Sequence, residues 1–449
     1  MNVFLISANT LEAPYPVYPL GMDYVANTIS ADHQVQMLDM NTIDHYDELS
    51  KHIKKFSPDV VGISLRNIDN TDTTDPLGFM GQYQDIIAVV KKSTKASIVL
   101  GGSGFTIFPN EIMTVLDADY GVIGEGERIY LLLDAIENKK DTSEIPGIVT
   151  KNIRKNIPEP WHEAILMPIP KSTDTVDFYL KKGGMLNLQS KRGCHYNCVY
   201  CTYPHIEGKS FRLIPPEQVA DMALKLQQAG AKYLFITDST FNSNVEHSIN
   251  VARAIKNAGV NIPWGAFFSP MKMPDDYFRI MADSGLKHVE FGTDTMSEKM
   301  LVSYRKPFGL NDIYHSHQAA VDAGINVAHF FVLGGPDESH ATLDETLTNV
   351  DRLKKTVLFF FCGMRIYPHT KLYEIAINKV QIKGSDQLLD PVFFQPDAIE
   401  NNEIVKKVKE LAKDHPNWVT GSGGEDTVNI TSKMYEKGYS GPLWEYLIR

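Results

Sequence analysis

Three of the chain's four cysteines, Cys194, Cys198 and Cys201, stand within one short stretch at the spacing C-x3-C-x2-C. Three thiolates on one tight loop can hold three corners of a four-iron, four-sulfur cluster. No fourth cysteine lies nearby, so one iron would stay open to an exogenous ligand, and an open iron serves chemistry rather than electron storage alone. The competing reading is a zinc site completed by His195 or His205. Structural zinc pairs one C-x2-4-C with a distant second pair, and this chain has no second pair.

The loop Arg192-Gly193-Cys194-His195-Tyr196-Asn197-Cys198-Val199-Tyr200-Cys201, with the aromatic Tyr200 just before the last cysteine, resembles the signature of the radical S-adenosylmethionine (SAM) enzymes. The resemblance implies a [4Fe-4S] cluster whose open iron is chelated by the amino and carboxylate groups of SAM. It implies that the reduced cluster cleaves SAM to methionine and a 5′-deoxyadenosyl radical.

A chain of 449 residues has room for two or three domains, each with its own core. Its 43% hydrophobic and 22% charged residues are ordinary globular values. A net charge of −11 argues against general nucleic-acid binding, which needs a basic stripe. Met1–Ile6 lacks the basic flank of a signal peptide, and no apolar run is long enough to span a membrane. So few cysteines in so long a chain make no disulfide framework. These features lead to the expectation of a cytoplasmic enzyme.

Residues 1–140 alternate short β-branched runs with helical periodicity, the pattern of a parallel sheet covered by helices on both faces. Expected strands are Asn2–Ser7, Val35–Asp39, Asp59–Ser64, Ala96–Leu100 and Tyr120–Ile123, a Rossmann- or flavodoxin-like unit. Ligands of such sheets lie beyond the carboxyl ends of the strands. Those ends carry Ser7 and Asn9, Asp39 to Asn41, Ser64, Leu65, Arg66 and Asn67, Gly101, Gly102 and Gly104, and Gly124, Glu125, Gly126 and Glu127. Glycine lets a backbone approach a bulky ligand. A nicotinamide fingerprint, G-x-G-x-x-G after the first strand, is absent.

Pro19-Leu20-Gly21, Pro58–Ser64, the Gly101–Gly104 loop and Gly124–Glu127 together resemble the cobalamin-binding domain found upstream of some radical SAM domains. The Asp-x-His-x-x-Gly motif that supplies a histidine to cobalt in other cobalamin proteins is missing, and His33, His45 and His52 have neither its spacing nor its sheet position. The resemblance therefore implies a cobalamin whose lower face meets no histidine, with Leu65, Arg66 and Asn67 nearest the cobalt.

Residues 141–184 are proline- and lysine-rich with little periodicity and read as a linker. From residue 185 six β/α units follow, with strands Met185–Ser190, Lys232–Thr237, Asn261–Phe268, His288–Gly292, Val327–Leu333 and Leu358–Ile366. That number makes a partial (β/α)6 barrel over 185–380, and barrel sites sit at the carboxyl ends of the strands. The cysteine loop follows the first strand. By this position the resemblance assigns SAM contacts to Tyr200, to Asp238 for the ammonium, to Glu290 or Asp294 for the ribose, and to Leu333, Gly335, Arg365 and Tyr367 around the adenine. Cys362 follows an apolar run and reads as a small buried hydrophobe. Residues 381–449 form an extension that either closes the open side of the barrel or covers the substrate.

Together the two resemblances imply a cobalamin-dependent radical SAM enzyme, foremost a C-methyltransferase. One SAM would methylate cob(I)alamin, a second would yield the radical, and the resulting substrate carbon radical would take the methyl group. A flavodoxin or ferredoxin would supply electrons to a small-molecule or natural-product reaction. Members with the same two domains that form or contract rings without methylating, and a non-catalytic cobalamin or iron-sulfur sensor, are the other classes.

Overall fold

A computed structural model describes residues 1–12, 15–151, 173–421 and 423–448. The first sheet holds β1 (Asn2–Ser7), β2 (Gln34–Asp39), β3 (Val60–Ser64), β4 (Ser97–Gly101), β5 (Tyr120–Val122) and β6 (Ile148–Thr150), in the order β2-β1-β3-β4-β5-β6. All pairs are parallel except the edge pair β5–β6. Both faces of β1 are buried, so it reads as a continuous apolar run rather than an alternation. Phe4 and Ile6 meet the helices 46–56 and 80–93 through Leu49, Ile53, Tyr83 and Ile86. Val3 and Leu5 meet the opposite layer through Met22, Ala26 and Leu132. The chain order reverses direction at β1, and a sheet of this kind opens a crevice at that point.

The second sheet holds β7 (Met185–Leu188), β10 (Tyr233–Ile236), β11 (Trp264–Phe268), β12 (Leu286–Asp294), β13 (Asn326–Leu333), β14 (Thr356–Cys362) and β15 (Trp418–Thr420), all parallel and in that spatial sequence. Alternation decides which side each residue faces. Leu234 and Ile236 join the helix-facing core with Val219, Ala223 and Val251. Tyr233 and Phe235 lie on the other side with Met185 and Tyr15. A two-stranded ribbon, β8 (Lys191–Arg192) against β9 (Arg212–Leu213), brackets the cysteine loop.

Two expectations about organisation are revised. The six expected barrel strands are present, and among the described residues a seventh joins them, because helix Asn401–Ala412 and β15 add a β/α unit from the carboxyl-terminal extension. The short run Trp418-Val419-Thr420 is too brief to stand out by periodicity, and pairing with β14 is what makes it a strand. The supposed linker contributes β6 to the first sheet and a helix at Thr173–Lys181. The rest of it, 152–172, lies outside the described residues. None of the described helices is long and apolar enough to cross a membrane.

Candidate active site

The ribbon and a glycine shape the cysteine loop. Gly193 has φ +89°, and a Cβ there would lie 2.1 Å from the Ser210 carbonyl oxygen, so no other residue fits without moving backbone. Gly193 N–H donates to Glu207 Oε2 at 3.1 Å and Cys194 N–H to the Gly208 carbonyl at 3.1 Å. Val199 is held from both sides, donating to the Tyr304 carbonyl and accepting from Leu372 N–H. Pinned this way, Cys194, Cys198 and Cys201 wall one cavity of about 140 Å³ with Tyr196, Tyr200, Ser239, Ser269 and Lys306.

Burial pushes the Cys198 thiol up and, with the neighbouring Cys198 thiolate, the Cys201 thiol to about 12. Among the described residues no three His, Cys, Asp or Glu side chains converge closely enough for a single metal ion. Three thiols spread around a cavity suit a polynuclear cluster, whereas zinc requires sulfurs at about 2.3 Å from one point. Neither histidine of the zinc reading lines the cysteine cavity. His195 packs edge-on against Phe211 at 4.8 Å, and His205 stacks on His369 at 4.0 Å. The residues fit a four-iron cluster.

The sequence reading missed Lys306. Its ammonium is 7% exposed, lies in the same cavity, and donates to Asp294 Oδ2 at 2.8 Å. Tyr200 donates to the same oxygen at 2.6 Å. Burial alone would lower the Lys306 pKa, but Asp294 and the cysteine sulfurs more than offset it, so it is raised. A cation between carboxylate and thiols is matched to an anionic ligand. Asp294 sits at a break in register on β12 with φ +65°, a strained geometry that needs support. Its neighbour Thr293 supplies it. The Lys354 carbonyl can only accept, so His317 donates to it from Nε2 at 3.0 Å. His317 Nδ1 must then accept from His329 Nε2 at 3.0 Å, and His329 Nδ1 from the Thr293 hydroxyl at 2.7 Å. Burial holds both imidazoles below their ordinary pKa, and hence neutral.

The other assigned SAM contacts scatter. Asp238 is saturated by Ser190 N–H, the Ser190 hydroxyl and a fully buried Lys191 ammonium at 3.2 Å, which leaves it no role as a free acceptor. Leu333 points into the helix-side core with Leu343, Phe360 and Ile404. Gly335 lies against Tyr304, where a Cβ would come within 2.4 Å of the ring. β14 ends at Cys362, and after Gly363 at φ +101° the chain turns toward the first sheet. Arg365 and Tyr367 therefore meet Asp69, at 2.9 Å and 3.3 Å, rather than the cysteine cavity. Cys362 is buried in the helix-side core, and burial raises its thiol to about 12.

Glu290 lies deeper in the lumen, fully buried, accepting from Tyr15 Oη at 3.2 Å and Trp444 Nε1 at 3.0 Å. Burial raises its pKa to about 7, against the lowering effect of those two donors. The folded protein thus binds more protons than the unfolded chain between the ordinary value, 4.5, and about 7. Stability from this group is full below that window and falls as pH rises through it, by roughly 3 kcal/mol. Glu290→Gln keeps an acceptor for both donors. Its melting temperature relative to the parent should rise between pH 5 and pH 8; a constant difference across that range would reject the shifted carboxyl.

A larger cavity, about 660 Å³, opens at the carboxyl ends of the first sheet, within the range of cofactor sites. Ser7, Asn9, Ser64, Arg66, Asn67, Gly101, Gly102, Gly104 and Gly124 to Glu127 all line it. Asn9 is 6% exposed there, and its Oδ1 has no hydrogen-bond partner, as suits a ligand bearing amide donors. Gly102 has φ +98° and a Cβ would sit 2.6 Å from the Leu65 carbonyl. Leu65 itself is fully buried in the core and does not reach the cavity. Glu125 and Glu127 are held by Arg192 at 3.1 and 2.5 Å, so they tie the two sheets together instead of waiting for a ligand. Among the described residues no histidine lines this wall. His33 lies beside the Met1 amino group, His45 precedes a helix, and His52 meets Gln36.

The family model for the B12 binding domain matches residues 6–133, and that for the radical SAM superfamily matches 188–350. This chain is a B12-binding radical SAM protein. An uncharacterized methyltransferase of Pyrococcus horikoshii is 28% identical over 80% of this chain and 78% of its own. The tryptophan 2-C-methyltransferase of Streptomyces laurentii is 23% identical over 83% and 74%. The radical SAM methyltransferase TsrM from Kitasatospora setae, solved with cobalamin and a [4Fe-4S] cluster, superimposes with a TM-score of 0.86 at 20% identity, covering 99% of this chain and 97% of that one. The B12-binding radical SAM protein is an enzyme whose cofactors are a [4Fe-4S] cluster, SAM and cobalamin.

Proposed function

We propose that the protein is a C-methyltransferase that acts on an unactivated carbon of a small molecule. One observation carries this: Tyr203 lines both the cysteine cavity and the large cavity, so the two proposed cofactor sites are neighbours across one side chain. The names of the relatives agree with it. Residues 1–140, 185–380 and 381–449 serve as cobalamin unit, radical SAM unit and closing extension.

When bound, the cluster with SAM supplies a hydrogen-abstracting radical and cobalamin carries the methyl group; the protein's part is position and exclusion of water. Cys194, Cys198 and Cys201 would hold the cluster. Lys306 offers the fixed cation for the SAM carboxylate, and Asp294, oriented by Thr293 and Tyr200, keeps that cation in place. The glycines at 101, 102 and 104 let backbone approach the corrin, while Asn9 accepts from one of its amides. Arg66 and Asn67, on the wall of the same cavity, would border the bound cobalamin. A flavodoxin or ferredoxin donates the electrons, in the cytoplasm, where thiols stay reduced.

Reconstituted enzyme given SAM and substrate should release both S-adenosylhomocysteine and 5′-deoxyadenosine. Mainly 5′-deoxyadenosine would mean radical chemistry without methylation, and neither product would mean a sensor. The lack of a histidine among the described residues of this wall makes a separate prediction. Electron paramagnetic resonance of the cob(II)alamin form should show no nitrogen superhyperfine splitting, and such splitting would refute an unligated lower face.

A further inference from the structure

The wall that joins the two cavities is built of rings. Phe267 on β11 borders the cysteine cavity, and Phe361 on β14 borders the large one. Phe330 on β13 stands between them, its centroid 6.2 Å from Phe267 and 6.4 Å from Phe361. Phe267 is 38% exposed and the other two are half-buried, so all three keep part of their ring surface uncovered on one side of the second sheet. They cannot simply turn away. Phe330 stacks on Phe359 at 4.6 Å and 6°, and Phe267 meets the edge of Phe235 at 5.2 Å. Leu447 and Ile448 pack against the cluster of Ala328, Val357, Phe359 and Trp444 that Phe330 and Phe361 also border, and so lie on the same side of the sheet as the rings.

Apart from Arg66, which stands on the wall assigned to the corrin, the charged groups bordering the two cavities named so far are engaged with one another. Lys306 is held by Asp294, Arg192 by Glu125 and Glu127, and Glu290 beneath accepts from Tyr15 and Trp444. A charged substituent placed against the rings would lose water and gain no partner, which is unfavourable. An uncharged ring loses only ordered water and gains edge and face contacts.

We infer that the substrate presents an uncharged, apolar ring system to Phe267, Phe330 and Phe361, with Leu447 setting how deeply it enters. This rests on reading the two cavities as the cluster and corrin sites, because the reacting carbon must then lie along this wall.

The test uses holoenzyme loaded with cluster, cobalamin and SAM, titrated with 2-naphthol and with 2-naphthoate, which share a ring system but differ in charge. Ligand-detected NMR should give 2-naphthol an affinity at least about tenfold higher. Phe330→Ala should weaken it by about tenfold and the gentler Phe330→Leu by a few-fold, with SAM binding unchanged. Leu447→Trp, which fills the space, should also weaken it. Equal or tighter binding of 2-naphthoate, no saturable binding of 2-naphthol, or unchanged affinity in both Phe330 variants would overturn the inference. These readouts need no turnover, so they stay separate from the SAM products that test methyl transfer.

Discussion

Cys198→Ala should release neither 5′-deoxyadenosine nor methionine from SAM, while the parent, reconstituted without oxygen, carries about four irons and four sulfides per chain. The thiols at 194, 198 and 201 share one small cavity, and no other cysteine among the described residues borders it. A lost ligand therefore has no replacement within reach. Cys362→Ala is the control. That thiol lies in the helix-side core, so the variant should lose some stability through a small void and keep its iron. Full SAM cleavage by Cys198→Ala would sink the cluster assignment.

Much of this site was legible because its chemistry is local. The cysteine spacing and the strand-end glycines are each set by a few consecutive residues, and local sequence reports them. What the sequence did not show depends on contacts between distant segments. Lys306 belongs to the site only because a register shift on β12 turns Asp294 toward it, and nothing near residue 306 announces that. Asp238 stands at a strand end as expected, yet the buried Lys191 claims it. Arg365 and Tyr367 were placed by extending β14 past Cys362; Gly363 ends it and sends both to Asp69. Strand position predicts which end of a barrel a residue reaches. It does not predict which neighbour satisfies its polar atoms.

The glutamates of Gly124–Glu127 show the same limit and lead to the second large effect. Arg192, two residues before Cys194, is 6% exposed and bonded to Glu125 at 3.1 Å and Glu127 at 2.5 Å, with its guanidinium 4.4 Å from the centre of the Tyr24 ring. Burial works against its charge, but the two carboxylates outweigh that and raise its pKa. Truncation to alanine would leave Glu127 buried without this partner, while Glu125 keeps Arg212. Breaking a buried pair from one side costs about 3–5 kcal/mol, far more than the pair contributes against an apolar substitute. The strain falls on both cavities, since Glu127 lines the large one and Arg192 is on the ribbon that holds the cysteine loop. Arg192→Ala should thus lower the melting temperature and reduce both retained cobalamin and iron. Arg192→Lys, which keeps the charge but not the two-pronged geometry, should fall between. Replacing Arg192 and its orphaned partner together, as Arg192→Met with Glu127→Gln, leaves the Arg212–Glu125 pair in place and should recover part of the stability but not the cobalamin-to-iron ratio of the parent. If Arg192→Ala loses iron and keeps its full cobalamin, the network only supports the cysteine loop, and the two cofactor sites are not mechanically joined through it.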